Sequence, residues 1–388
     1  MNKIINKQIT IDDLNKYMVV FFLFFALVTP ADSLKLKLLS FVCVIFFNIN
    51  KILAFLTKKK NLFYTFYMIF FPVILFILSS FNNQNWVEMI KFFYVFSYLL
   101  LIPICESRGI NLLKYFIYIL NIISYIIVIS ALLDKIGLLG INNNPILMFL
   151  NNAGEAQISV SPYAIFHYVI FLNASPLVLI SFSYYLFQKK YAFAGLNFLA
   201  LILSGTRANI YLGIVMILLY VLFDKSIRLF KPLLVLGLTM LIILYGSSFY
   251  EKVTIINWAK SQGDEIRTLN LESIKIAMNN SWENYIFGMG ARTSYFSYAR
   301  NELINESELS YIELLRQIGL IGLIPFIAFL IKPIYRLITD RRFIWLALSF
   351  SLYLFKCYFD PFLFTSTGFI LIAVVYFEYR KSLTEVGE

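Results

Sequence analysis

The chain has one histidine, His167, among 388 residues, which excludes a metal centre built from several imidazoles. Cysteine is nearly as scarce. Cys43, Cys105 and Cys357 all lie inside apolar runs, at spacings that fit neither a disulfide framework nor a zinc site. They read as small core or lipid-facing residues. Charge is the third shortage: only 14% of residues are charged and 60% are hydrophobic, where a soluble domain is close to a quarter charged. Such a chain cannot cover its surface with polar groups, so its solvent is lipid. The sequence carries no nucleotide-sugar site and no metal site, and no cofactor is expected.

What is present is a series of apolar runs long enough to cross a bilayer, which takes roughly 17–25 residues each. About twelve can be placed, at 17–28, 36–56, 63–81, 87–104, 112–133, 164–187, 191–203, 208–223, 229–249, 311–331, 343–359 and 362–379. The first and seventh are shorter than ideal. The expected fold is therefore all-α: a polytopic membrane bundle of about 12 transmembrane helices, forming a single integral membrane domain over 1–388. Residues 1–16 and the short run behind them imitate a signal peptide, but Asp12 and Asp13 sit where its basic region would be.

A net charge of +11 points to nucleic acid until the charges are located. Cytoplasmic loops concentrate Lys and Arg. One set of short loops holds nineteen of them, from Lys3, Lys7 and Lys16 through Lys58–Lys60 to Arg341, Arg342, Arg380 and Lys381. The alternate set holds five: Lys35, Lys37, Lys135, Arg207 and Lys356. Both termini are thus expected in the cytoplasm, the basic excess is topological, and the partners are membrane lipids with no nucleic acid.

Two connections are long, 134–163 and 250–310, and both are expected outside. In the second, "DEIRTLNLESIKIAMNN" puts Ile266, Leu269, Ile274, Ala277 and Met278 on one helical face, with Glu265, Glu272 and Lys275 elsewhere. It reads as an amphipathic helix on the membrane surface or capping the bundle. Gly288 and Gly290 mark a turn. The segment resembles a lid, and it carries Arg267, Arg292 and Arg300 with Asp264, Glu265, Glu302, Glu306 and Glu308. Arg316, Lys91 and Glu88 lie one or two turns inside neighbouring spans, where an unpaired charge costs several kcal/mol. His167 stands one turn into the sixth span, where a hydrogen-bonded interior histidine and a proton-transfer or substrate-binding group are both open readings. Lys356 and Asp360, at (i, i+4), read as a local pair.

Three blocks carry a family resemblance. "LSGTRANIYLGIVMILLYVLF" is similar to the S-G-[ST]-R-[GA] signature that opens a helix in the O-antigen polymerase and ligase superfamily. "NYIFGMG" followed by "ESELSYIELLRQIGLIGLIPFIAFL" resembles that family's G-x-G turn and the helix after it, with matches at Tyr311, Ile312, Leu315, Gly319, Ile321 and Gly322. "DPFLFTSTGFILI" looks like its last span. The blocks cover the C-terminal half; the N-terminal half matches only in hydropathy. Ligases of the family usually carry a histidine just before the G-x-I-G helix. Here Glu308 and Leu309 fall where a His-Asn pair would stand. The chain therefore resembles most closely the Wzy-type polymerases of polysaccharide repeat units.

That resemblance implies a glycan donor on undecaprenyl pyrophosphate and an acceptor hydroxyl on a second lipid-linked unit, in the bacterial inner membrane, and allows for a chain-length regulator protein. The leaving pyrophosphate calls for cations that form paired hydrogen bonds, which selects arginine. Arg207, Arg267, Arg292, Arg300 and Arg316 are the candidates for holding substrate, with Tyr311 and His167. Glu308 and Glu306 are the candidates for a base, with Arg207 as the cation of the chemical step. Two other functions suit the span count: an O-antigen ligase, and a flippase or transporter of the same lipid-linked unit. Against a transporter, no internal repeat is visible, and Pro103, Pro176 and Pro325 do not correspond in two halves.

Overall fold

A computed structural model of the chain describes residues 11–31, 35–82, 85–160, 168–223 and 261–384. It is mostly helical. In order come α1 (Ile11–Val28), α2 (Leu36–Leu56), α3 (Lys59–Ser80), α4 (Trp86–Arg108), α5 (Leu112–Lys135) and the short α6 (Pro145–Asn152). A hairpin of β1 (Ala156–Val160) and β2 (Tyr168–Leu172) leads to α7 (Ser175–Phe187), α8 (Tyr191–Leu203) and α9 (Arg207–Phe223). The lid follows as α10 (Ser261–Met278), α11 (Glu283–Phe287) and a second hairpin, β3 (Tyr295–Ser297) with β4 (Glu302–Ile304). The chain ends in α12 (Ser310–Leu337), α13 (Ile344–Lys356) and α14 (Ser366–Thr384).

Five of these helices, α2 to α5 and α12, are long and apolar enough to cross a membrane, and α7, α8, α9 and α13 are shorter apolar helices. At 1.5 Å per residue the 13 residues of α8 reach only about 20 Å, less than a hydrocarbon core. The expected span at 164–187 is corrected more substantially. Its first described part, Tyr168–Leu172, is strand, paired antiparallel to Ala156–Val160 in the register Ile158↔Ile170. Asn173 and Ala174 form the turn between that strand and the helix, whose first turn carries Pro176. The expected span at 229–249 lies outside the described residues.

Helix irregularities follow the prolines. In α3 the turn Phe66–Phe70 widens to a π-helix just before Pro72, which has no N–H to give to the carbonyl four residues back. In α4 the stretch Tyr94–Leu100 tightens to 3-10 just ahead of Pro103.

The core is organised around α14. Its residues from Phe369 to Tyr376 have no exposure on any side, which a helix apolar all round achieves only in a bundle's interior. Aromatic rings lock it to neighbours: Phe329 stacks between Tyr67 and Tyr376 with centroids 4.3 Å away on each side. Phe96 meets Phe369 edge-on at 4.7 Å. Between α5, α7 and α8, Asn197 accepts from Ser124 (2.8 Å) and Ser181 (2.6 Å) and donates to Asn121 (2.9 Å). By contrast α2 leaves Phe46, Leu39 and Leu53 exposed, the face expected against lipid.

One end of the bundle is basic. There Arg380 of α14 pairs with Glu106 and lies over the Phe55 and Tyr64 rings, and Arg108 donates to Asn48 at 3.0 Å. The lid sits at the opposite ends of α4 and α14, with Asn82 donating to the Gly288 carbonyl at 3.1 Å.

Candidate functional site beneath the lid

The lid is fastened by glycine. Gly319 interrupts α12 with φ 62° and ψ −177°, and the turn Gly288–Met289–Gly290 docks into that break. Met289 N–H donates to the Arg316 carbonyl at 2.6 Å and Gly290 N–H to the Gln317 carbonyl at 3.1 Å. A Cβ on Gly319 would stand 2.2 Å from the Ile286 carbonyl oxygen, and one on Gly288 would stand 2.5 Å from that of Gln317. Gly319, a match in the family-like helix, and Gly288, read from the sequence as part of a turn, thus meet each other. Gly213 does serve helix packing, against the Phe198 ring.

Helix α10 spans the stretch read as amphipathic, with a buried stripe that differs from the apolar one. Asn270, Ser273, Ile274 and Met278 are buried with Ala277 partly so, while Ile266 is exposed. Hydrophobicity alone missed Asn270 and Ser273 because their polarity is satisfied inside. Asn270 accepts from Ser297 at 2.9 Å, and Ser273 accepts from the Tyr298 N–H at 2.9 Å, which ties α10 to the β3–β4 hairpin.

Arg316 is fully buried, and its guanidinium is spent on the lid. It pairs with Glu313 (2.5 Å), donates to the Thr293 carbonyl (2.9 Å) and the Asn305 carbonyl (3.1 Å), and lies 4.5 Å from the Tyr295 ring centroid. Burial pushes the Tyr295 phenol up to about 12, so it stays neutral. Arg292 pairs with Glu306 at 2.7 Å. Glu306 faces a crevice of only about 10 Å³, lined also by Ser310, Glu313, Gln317 and Phe364, with room for one water. Burial raises its carboxyl pKa above the ordinary 4.5, more than Arg292 lowers it. Arg300 is exposed near the hairpin tip. The Tyr311 hydroxyl donates to the Leu354 carbonyl at 2.9 Å. His167 lies outside the described residues.

A larger cleft of about 420 Å³ opens where α9, α10 and α13 converge. Thr206, Arg207, Ala208, Tyr211 and Leu212 line it from the start of α9, Arg267 from the lid, and Phe355, Lys356, Phe359 and Asp360 from the end of α13. Lys356 is buried, with its ammonium 3.1 Å from Asp360 and donating to Asn209 at 2.8 Å. Asn209 in turn donates to Ser204 at 2.8 Å. Arg267 stands 3.8 Å from Asp360 and 3.8 Å from Glu308.

Of the arginines expected at the site, the structure brings Arg207 and Arg267 into one cavity and places Arg292, Arg300 and Arg316 elsewhere. The pair expected at Lys356 and Asp360 forms, but it belongs to this cleft, which its spacing in the sequence did not reveal. The one available signal was Asn209, two positions after Arg207, a polar side chain in an apolar helix that called for a buried partner. Three cations, the Asp360 carboxylate at one side and apolar walls of Tyr211, Leu212, Phe355 and Phe359 suit an anionic headgroup on a hydrophobic chain.

The fold and site define a polytopic helical membrane protein with a lidded, cation-lined cleft. Residues 192–327, about a third of the chain, match the family model described as O-antigen ligase. That segment runs from α8 through the Arg207 helix and the lid to the Pro325 region of α12, and its match supports the resemblance to the O-antigen polymerase and ligase superfamily. No curated protein matches the chain.

Proposed function

We propose that the protein is a glycosyltransferase that joins oligosaccharide repeat units carried on undecaprenyl pyrophosphate, extending an O-antigen or capsule chain. The reaction faces the outside of the bacterial inner membrane, with both chain termini in the cytoplasm. The observation that carries the proposal is the gathering of Arg207, Arg267 and Lys356 in one apolar-walled cleft beneath the lid. As the glycosidic bond to the donor breaks, negative charge grows on the departing pyrophosphate. Guanidiniums aimed at that position stabilise it more than they stabilise the bound donor, which is what lowers the barrier. The apolar walls accept the first part of the polyprenyl chain. The lipid diphosphate is itself the activated donor, so no nucleotide is needed.

Polymerase is preferred to ligase because the only histidine is His167, so the lid has none where ligases of the family usually carry one. The matched family model, described as O-antigen ligase, is equally consistent with the ligase reading, which differs only in the acceptor. Purified protein given lipid-linked repeat units and no nucleotide should produce a ladder of longer glycans. Transfer only to a lipid A core supports the ligase, and movement across the bilayer without linkage supports a flippase. Arg207→Lys keeps the charge and loses the paired hydrogen bonds, and should slow turnover by about 100-fold.

A further inference from the structure

The acceptor's base is not settled by the sequence, and the two glutamates it suggested are poorly placed in the closed lid. Glu306 faces the crevice of about 10 Å³ and is held by Arg292. Glu308 has 41% of its side chain exposed and is not among the residues lining the large cleft. Asp360 is the carboxylate that lines it.

Resting on the functional reading above, we propose that Asp360 is the catalytic base for the acceptor hydroxyl, and that Arg267 covers it until the donor diphosphate arrives. Three observations support this. Asp360 is fixed in place: its backbone carbonyl accepts from the Ser310 hydroxyl at 2.8 Å and the Phe362 N–H at 2.9 Å. One carboxylate oxygen, Oδ2, is held by the Lys356 ammonium at 3.1 Å, and Lys356 is itself anchored by Asn209 on the Arg207 helix. The other oxygen, Oδ1, faces Arg267 at 3.8 Å, beyond hydrogen-bonding range, and the same guanidinium is equally distant from Glu308. Arg267 is thus shared between two carboxylates at long range.

A diphosphate offers Arg267 closer, bidentate oxygens than either carboxylate does. Its move to the donor leaves Oδ1 facing the cleft, beside the anomeric carbon of the sugar whose diphosphate Arg207 and Arg267 hold. The acceptor oxygen then bonds to the anomeric carbon as the bond from that carbon to the diphosphate oxygen breaks, and its electron pair leaves with the polyprenyl diphosphate. The acceptor's proton passes to Asp360 Oδ1 and afterwards to water. Lys356 and Asn209 are positioning residues that keep Oδ2 engaged while Oδ1 works.

The test measures binding and turnover separately in the full-length protein in nanodiscs, with undecaprenyl diphosphate as the binding probe and lipid-linked repeat units as substrate. Asp360→Asn should bind the probe as tightly as wild type or more tightly, because a competitor for Arg267 is gone, while polymerising at least about 100-fold more slowly. Lys356→Met should lower kcat by a larger factor than it raises KM for the donor. Removing one partner of a buried pair can also unfold the site. The double variant Asp360→Asn with Lys356→Met therefore removes both charges, and should melt near wild type and bind the probe yet make no ladder. Polymerisation by Asp360→Asn within tenfold of wild type overturns the assignment, as does loss of its probe affinity in step with turnover. A Glu308→Gln variant that is inactive while Asp360→Asn works would move the role to Glu308. Wild-type protein that neither binds the probe nor makes a ladder overturns the functional reading and this assignment together.

Discussion

Replacing Gly319 with alanine tests how the lid is held. The residue sits at φ 62° and ψ −177°, a region that is essentially glycine-only, and holding alanine there costs roughly 1–3 kcal/mol. The added methyl would also stand 2.2 Å from the Ile286 carbonyl oxygen and 2.5 Å from the Gly288 nitrogen. Both are backbone atoms of a turn that is itself pinned by the Met289 and Gly290 hydrogen bonds, so they cannot rotate away as a side chain could. Overpacking of that kind adds about 1–3 kcal/mol. The sum, about 4 kcal/mol, is released if the turn leaves the helix, so the loss should appear as lid undocking with the bundle intact. Amide hydrogen exchange should rise nearly a thousandfold across 284–292 and change little in α5 or α14. Gly322→Ala is the control, because the atoms nearest its methyl belong to the Ile318 side chain, from 2.8 Å, and not to the turn, and it should shift exchange by no more than about tenfold. Equal protection of the lid in Gly319→Ala and wild type would refute the reasoning.

Arg316→Met should also loosen the lid, by about 3–5 kcal/mol, since it strands the buried Glu313 carboxylate and frees the Thr293 and Asn305 carbonyls. Proteolysis within 293–305 should accelerate accordingly, and an unchanged digestion rate would count against a fastening role. Glu306 supplies a pH test: its folded pKa is raised, so the folded lid binds more protons than the unfolded one in the window above 4.5. Lid stability should therefore fall as pH climbs through that window, and Glu306→Gln should flatten the slope of lid exchange against pH. A slope of opposite sign in wild type would show that Arg292 outweighs burial.

Much of the bundle was legible from hydropathy because lipid-spanning helices must satisfy their backbone internally, leaving apolar runs of a fixed length. The expected bounds of α2 and α8 match the observed ones, and α9 begins one residue earlier, at Arg207 itself. The expected span at 164–187 misled for the same reason. A run such as "YVIFL" is equally apolar as strand or helix, and only the partner strand Ala156–Val160 decides between them. In the lid helix, the turn-by-turn spacing was visible but the buried face was rotated, because Asn270 and Ser273 find hydrogen bonds on a hairpin distant in the chain. For charged residues, sequence shows that an arginine near a helix end must have a reason, without showing which one.

By itself the sequence determined the apolar character of this protein, the positions of most of its helices, and the chemical kind of its candidate site: guanidiniums at one end of an apolar bundle. Those properties are local, since hydrophobic length and fixed charge do not depend on neighbours. Tertiary structure alone decided which cations share a cavity. Arg207 and Arg267 meet Lys356 and Asp360 across three helices, while Arg316, similar to them in sequence terms, is consumed in fastening the lid. The division arises because a charge interacts over a few ångströms of space, whatever its distance along the chain, and only the folded bundle sets that space.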